Sequence, residues 1–130
     1  QMTGICQQCH SGNFAREQLG KGDDMIREAD HLMAEGMRVV AALYQDGVLK
    51  PAAGAPAFPD LLTFHDAATP VEQRLFRMFL EHRMRTFQGT FHANPDYALW
   101  YGWSEMVQDL TEIKSLAAEM RREAGPRRKK

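Results

Sequence analysis

The residues best equipped for chemistry stand near the start of the chain, in the run Cys6-Gln7-Gln8-Cys9-His10. Two thiols three positions apart can each add to one vinyl group of a haem, and the imidazole that follows can reach under the ring to bind its iron. That is the chemistry of a covalently attached haem c, with the neutral imidazole of His10 as proximal iron ligand. Other uses of a cysteine pair fit less well. A zinc site would need a second pair of ligands, and the chain has no other cysteine. A thioredoxin-type pair sits at a strand-to-helix turn, for which the sequence offers no strand. A disulfide between such close cysteines would staple very little chain. Attachment of haem to this motif takes reduced thiols and machinery outside the cytoplasm, so a periplasmic or otherwise extracytoplasmic location is expected.

A sixth iron ligand has to come from elsewhere. His31, His65, His82 and His92 remain, with eight methionines. The choice matters, because axial ligands move haem potentials over about 0.8 V. His92 lies just before the start of a helix, where a ring can project from a rigid turn, and His82 lies mid-helix between Glu81 and Arg83. These two are the candidate distal ligands. His31 and His65 carry no such signal, and the methionines recur at helical core spacing.

The elements that must position these groups are helices. Residues 1–22 are rich in Gly, Gln and Ser without a sustained apolar period, which predicts a loop-rich head carrying the cysteines. From Asp23, a possible N-cap, Met25, Ile26, Ala29, Leu32, Met33, Met37, Val40, Ala41 and Tyr44 recur every three or four residues, and Gly47 with Pro51 can stop that helix. Residues 48–68 hold three prolines and read as a connecting loop. Thr69, Pro70 and Glu72 form a capping-box start for a second helix running to about Phe91, with Gly89 as a point of loosening near its end. Asn94, Pro95 and Asp96 repeat the start signal for a third helix, through Tyr97, Trp100, Tyr101, Met106, Leu110, Ile113, Leu116 and Met120, which Gly125-Pro126 ends. The predicted fold is therefore all-α: a haem-binding head over 1–22, a three-helix domain over 23–124 and a basic tail over 125–130. The short link between helices two and three predicts an antiparallel hairpin with aromatic rows packed together.

Composition narrows the function classes. A formal charge of −1 supplies no field for nucleic acid or an anionic membrane, and the basic end, Arg127 to Lys130, reads as a solvated tail. The longest apolar runs, such as Val39 to Tyr44, fall far short of the roughly 20 residues of a membrane span. The chain opens on Gln1 without a leader pattern, as expected of a processed protein or a piece of a longer one.

The downstream pattern carries more than the motif. Ala57-Phe58-Pro59-Asp60-Leu61-Leu62, Phe79-Leu80-Glu81-His82-Arg83, Phe91-His92-Ala93-Asn94-Pro95-Asp96-Tyr97 and Trp100-Tyr101-Gly102-Trp103 together resemble the C-terminal part of the octahaem hydroxylamine oxidoreductase family. The resemblance spans nearly the whole chain and makes its CxxCH the last of eight haem sites. It implies a part of a multihaem enzyme oxidising hydroxylamine or hydrazine, or in some branches reducing nitrite. It also implies a homotrimer, other haems in the same larger chain, and a small redox protein as electron acceptor. In the oxidative branch a tyrosine from this region bonds covalently to the neighbouring subunit's catalytic haem. The candidates are Tyr101, where small Gly102 would admit a macrocycle, and Tyr97. Distal ligands in the family are usually histidines, which favours His92 and then His82.

Two other readings stay open. One is a self-contained monohaem electron carrier with Met78 or Met84 as second ligand. The other is a helical oligomerisation module held by exposed aromatics, including Trp100 and Trp103.

Overall fold

The computed structural model describes residues 2–61 and 67–125, so His65 and the cations at 127–130 lie outside the described residues. Those described form an all-α fold, and among them there is no strand. A short helix α1 (Met2–Cys6) precedes the long α2 (Gly12–Gln45). Two further rods follow. The second is α3 (Pro70–Arg77), a π-helical segment π1 (Met78–Arg83) and α4 (Met84–Phe91). The third is α5 (Pro95–Tyr97), π2 (Ala98–Trp103) and α6 (Ser104–Ala124).

The first long helix starts at Gly12, not at Asp23, so the head is helical rather than loop-rich beyond residue 11. Its cap is Ser11, whose Oγ accepts the Phe14 N–H at 3.2 Å. Ala15, Arg16, Glu17, Gln18 and Leu19 are good helix formers, and they carry the helix through Gly20 and Gly22 at about 1 kcal/mol for each glycine. At the other end the Asp46 N–H bonds the Ala42 carbonyl at 2.8 Å, and Gly47 takes a φ of 67° that a side chain would resist. The chain then turns back, with the Leu49 N–H on the Leu43 carbonyl at 3.1 Å, which tucks Leu49 into the core.

The start of the second rod departs from the expected box. Thr69 has N-cap backbone angles, but its hydroxyl donates to Glu72 Oε2 at 2.6 Å instead of accepting a backbone N–H. The Tyr44 hydroxyl donates to the other oxygen of Glu72, so this carboxylate ties α2 to α3. Burial and that hydrogen bond push the Tyr44 phenol up to about 12. The third rod starts as expected, with Asn94 Oδ1 accepting the Tyr97 N–H at 3.1 Å, and it stops at Gly125, where φ is 70°.

The core lies where α2, the second rod and α6 meet: Ala29, Met33, Val40 and Leu43 against Val71, Leu75 and Met78, closed by Met106, Leu110, Ile113 and Ala117. Gly36 belongs to this seam, since a Cβ there would press on Leu75, Met78 and Ile113. Exposed ion pairs brace the same contacts: Arg83–Asp30 at 2.7 Å, Lys114–Glu35 at 2.5 Å and Arg121–Asp46 at 3.1 Å.

The second and third rods run antiparallel, but aromatic rows do not join them. Gly89 and Gly102 do. A Cβ on Gly102 would lie 2.5 Å from the Thr86 backbone nitrogen and 2.7 Å from its Cα. One on Gly89 would lie 2.5 Å from the Ala98 nitrogen. The rods are thus in backbone contact over one turn, and Gly89 marks that contact rather than a loosening helix end. The large side chains are displaced outward, leaving Phe87, Phe91, Trp100 and Tyr101 exposed. Among the described residues no helix is long and apolar enough to cross a membrane.

Candidate functional site

The cysteine motif is built as the end of one helix and the approach to the next. The N–H groups of Cys9 and His10 both reach back to the Cys6 carbonyl, at 3.2 and 2.9 Å, so all three functional residues share a single turn. Both thiols are free; Cys6 is half-buried, while Cys9 and His10 are exposed. The His10 ring lies 5.0 Å from that of Phe14 at a tilt of 33°. Two uncommitted thiols beside a solvent-reachable imidazole are the donor set that covalent haem attachment requires, so these residues fit the group. The α1 helix packs on α2, and the first ten residues of α2 run roughly 15 Å beyond Gly22 at the ordinary helical rise. Gly22 itself faces Thr90 of α4, so the motif stands beyond the hairpin end of the bundle.

The spare histidines fall in three different environments. His31 is exposed on α2, 4.0 Å from Glu28. His92 is exposed at the C-cap of α4, edge-on to Phe91 at 5.6 Å. His82 is 6% exposed inside π1, with Nδ1 2.5 Å from Asp109 Oδ2 and Nε2 4.0 Å from Glu81. Among the described residues no hydrogen bond, ion pair or ring contact joins His10 to any of them. Of the methionines considered as ligands, Met78 is sealed in the core and Met84 is half-buried.

Tyr101 is 59% exposed and Trp100 64% exposed, on successive residues of π2. Only Ala98 and Gly102 of that segment are buried. A π-turn closes its hydrogen bonds over five residues rather than four, so it changes the direction in which the flanking side chains point. Here it leaves Leu99, Trp100 and Tyr101 all exposed in a row. The Tyr97 ring, half-buried, lies 5.5 Å from that of Tyr101. The close approach that Gly102 permits is to the backbone of Thr86, not to a macrocycle, and Tyr101 beside it stays exposed.

Asp109, Arg74 and Thr86 belong to no sequence motif. Asp109, 1% exposed, takes Arg74 Nη1 on Oδ1 at 3.2 Å and His82 on Oδ2, while Arg74 Nη2 also reaches Glu112. The Thr86 hydroxyl donates to the His82 carbonyl at 3.0 Å. A lone Asp on the inward stripe of the third helix, between Met106 and Ile113, was the available signal.

No protein-family profile matches the chain. Among solved structures it is similar to a chain of a reducing HAO-like protein complex of Kuenenia stuttgartiensis, with a TM-score of 0.83 and 24% sequence identity. The match covers 95% of this chain and 32% of that one. The present chain therefore spans about a third of its structural neighbour's length, and the likeness is one of fold: an HAO-like helical arrangement.

Proposed function

We propose that this chain is the C-terminal part of a multihaem c-type cytochrome oxidoreductase of the hydroxylamine oxidoreductase kind, acting on hydroxylamine, hydrazine or a related small nitrogen compound. The observation that carries the reading is the cysteine turn, two free thiols and an exposed imidazole, at the head of an HAO-like helical fold. Cys6 and Cys9 would hold a haem c through thioether bonds and His10 would ligate its iron. That group supplies one-electron transfer.

Each residue here has a defined task. The α1–α2 turn gathers both thiols and the imidazole within one turn of backbone, and the Ser11 cap follows them at the start of a 34-residue helix. His92, exposed at the end of the hairpin, is the candidate distal ligand for this or a neighbouring haem. His82 is the second candidate, and a carboxylate on Nδ1 is the arrangement that orients an imidazole for ligation through Nε2. Exposed on π2, Tyr101 would reach a neighbouring subunit in a homotrimer and bond to that subunit's catalytic haem, with Tyr97 as the alternative. A small redox protein outside the cytoplasm, in the periplasm or an equivalent compartment, would take the electrons.

A second reading has its own observation. The structural neighbour is named a reducing complex; for a reductive branch the family resemblance implies nitrite as the compound reduced and no tyrosine link. A haem-stained denaturing gel of the natural protein under strong reductant separates the two. Haem at a multiple of the subunit mass, lost on Tyr101→Phe, is expected for the oxidative enzyme. A haem-rich single-subunit band assigns the reductive one. One small band, at about the mass of these residues plus one haem, overturns both in favour of a monohaem carrier. Cys6→Ser with Cys9→Ser should abolish the stain contributed by this segment.

A further inference from the structure

We propose that Phe14 is a positioning residue for His10: its ring fixes the plane of the imidazole and packs beside the macrocycle that Cys6 and Cys9 hold. The inference rests on the haem reading above and extends it to a residue that no motif identifies.

Phe14 is the only Phe, Tyr or Trp before Tyr44. It sits on the part of α2 that overhangs the bundle and is 46% exposed, although its neighbour Ala15 is buried. The hydrophobic core does not account for it, since the cluster begins at Ala29. What Phe14 does touch is the His10 ring, at 5.0 Å and 33°. Its own backbone is fixed by the same cap that follows His10, through the Ser11 Oγ bond to the Phe14 N–H, and His10 is fixed to the thiol turn through the Cys6 carbonyl. The backbones on both sides of the ring contact are therefore tied to the thiol turn and its cap. An imidazole turns about its terminal torsion in a broad, shallow well, so a ring held beside it is enough to select one orientation. The plane of an axial imidazole decides which iron d-orbital its π system meets, so that orientation is readable at the metal. The exposed side of the phenyl is an apolar surface that a porphyrin edge would cover.

The test is to produce the natural full-length protein with a haem c maturation system and record the haem methyl resonances of the ferric form by NMR, reading each variant as its difference from wild type, with haem content and far-UV circular dichroism alongside. Phe14→Tyr keeps the ring and should reproduce the wild-type methyl pattern. Phe14→Ala and Phe14→Leu should change the spread of those resonances at unchanged helicity, with Leu controlling for lost apolar bulk. Phe14→Ala or Phe14→Leu with full haem and the wild-type spread overturns the proposal alone. A natural protein whose haem content is unchanged by Cys6→Ser with Cys9→Ser carries no covalent haem on this motif, which overturns the haem reading and this inference with it.

Discussion

Asp109 is a buried carboxylate whose two oxygens are both spoken for, one by His82 of the second rod and the other by Arg74 a helical segment away. Removing it strands a buried imidazole and frees Arg74 to rely on Glu112 alone. Truncating one partner of such a group costs about 3–5 kcal/mol, whereas replacing the partners together by apolar residues costs far less. Asp109→Ala should therefore lower the urea midpoint by an amount equivalent to about 3 kcal/mol or more, and the double variant His82→Leu, Asp109→Leu should recover part of that loss. A double variant less stable than Asp109→Ala would show that the network contributes more than mutual satisfaction. Tyr44 sets a different dependence. Its phenol ionises near 10 in the unfolded chain, but burial and the bond to Glu72 raise it to about 12 in the fold. The folded state favours the neutral phenol, so this contribution is complete below pH 10 and is lost as pH rises through 12. Stability measured across that interval should fall, and Tyr44→Phe should flatten the part of the fall that Tyr44 causes.

The helix hairpin stands on two glycines for which alanine is not a neutral exchange. At Gly102 a methyl group would meet the Thr86 backbone, and at Gly89 the Ala98 backbone, and neither can move aside like a flexible side chain. Each Gly→Ala change should destabilise by about 1–3 kcal/mol, the range for overpacking a tight contact, and should shift the rods apart. Gly20→Ala is the contrast, because nothing lies within 4 Å of the added carbon there. It should stabilise by up to about 1 kcal/mol through helix propensity alone, as thermal unfolding would record. These elements also show which structure is readable from local chemistry. Pro70, Asn94-Pro95 and Gly125 act through their own backbones, and the ends they mark are where the rods begin and stop. Gly12, Gly20 and Gly22 gave a misleading signal because propensity is a weak prior, and the Ser11 cap outweighs it. The π segments have no local signature, since they arise where the antiparallel rods must bring Gly102 onto Thr86 and His82 onto Asp109. Those partners are 16 and 27 residues apart. The CxxCH turn was legible because its chemistry lies within five consecutive residues. Its relation to His92 was not, because that depends on how far α2 overruns the bundle.

At the scale of the whole molecule, α2 is one helix with two unequal supports. From Ala29 to Leu43 it buries an apolar stripe against the second rod and α6, with Asp30, Glu35 and Asp46 paired across to Arg83, Lys114 and Arg121. From Gly12 to Gly22 it has α1, a cap and, at its inner end, Thr90. Helical hydrogen bonds alone hold a segment this short only marginally, so most of its stability must come from what packs on it. Amide exchange in the haem-free chain should therefore be graded: residues 29–43 open only with global unfolding, while residues 12–21 open with a much smaller free energy. A haem bonded at Cys6 and Cys9 and ligated by His10 binds the ordered head in preference to the frayed one, so by linkage it must slow exchange over residues 12–21 more than over the core. Hydrogen–deuterium exchange read by mass spectrometry on both forms checks this. Uniform protection along α2 in the haem-free form would mean that the head is folded by the polypeptide alone and that the cofactor meets a finished site.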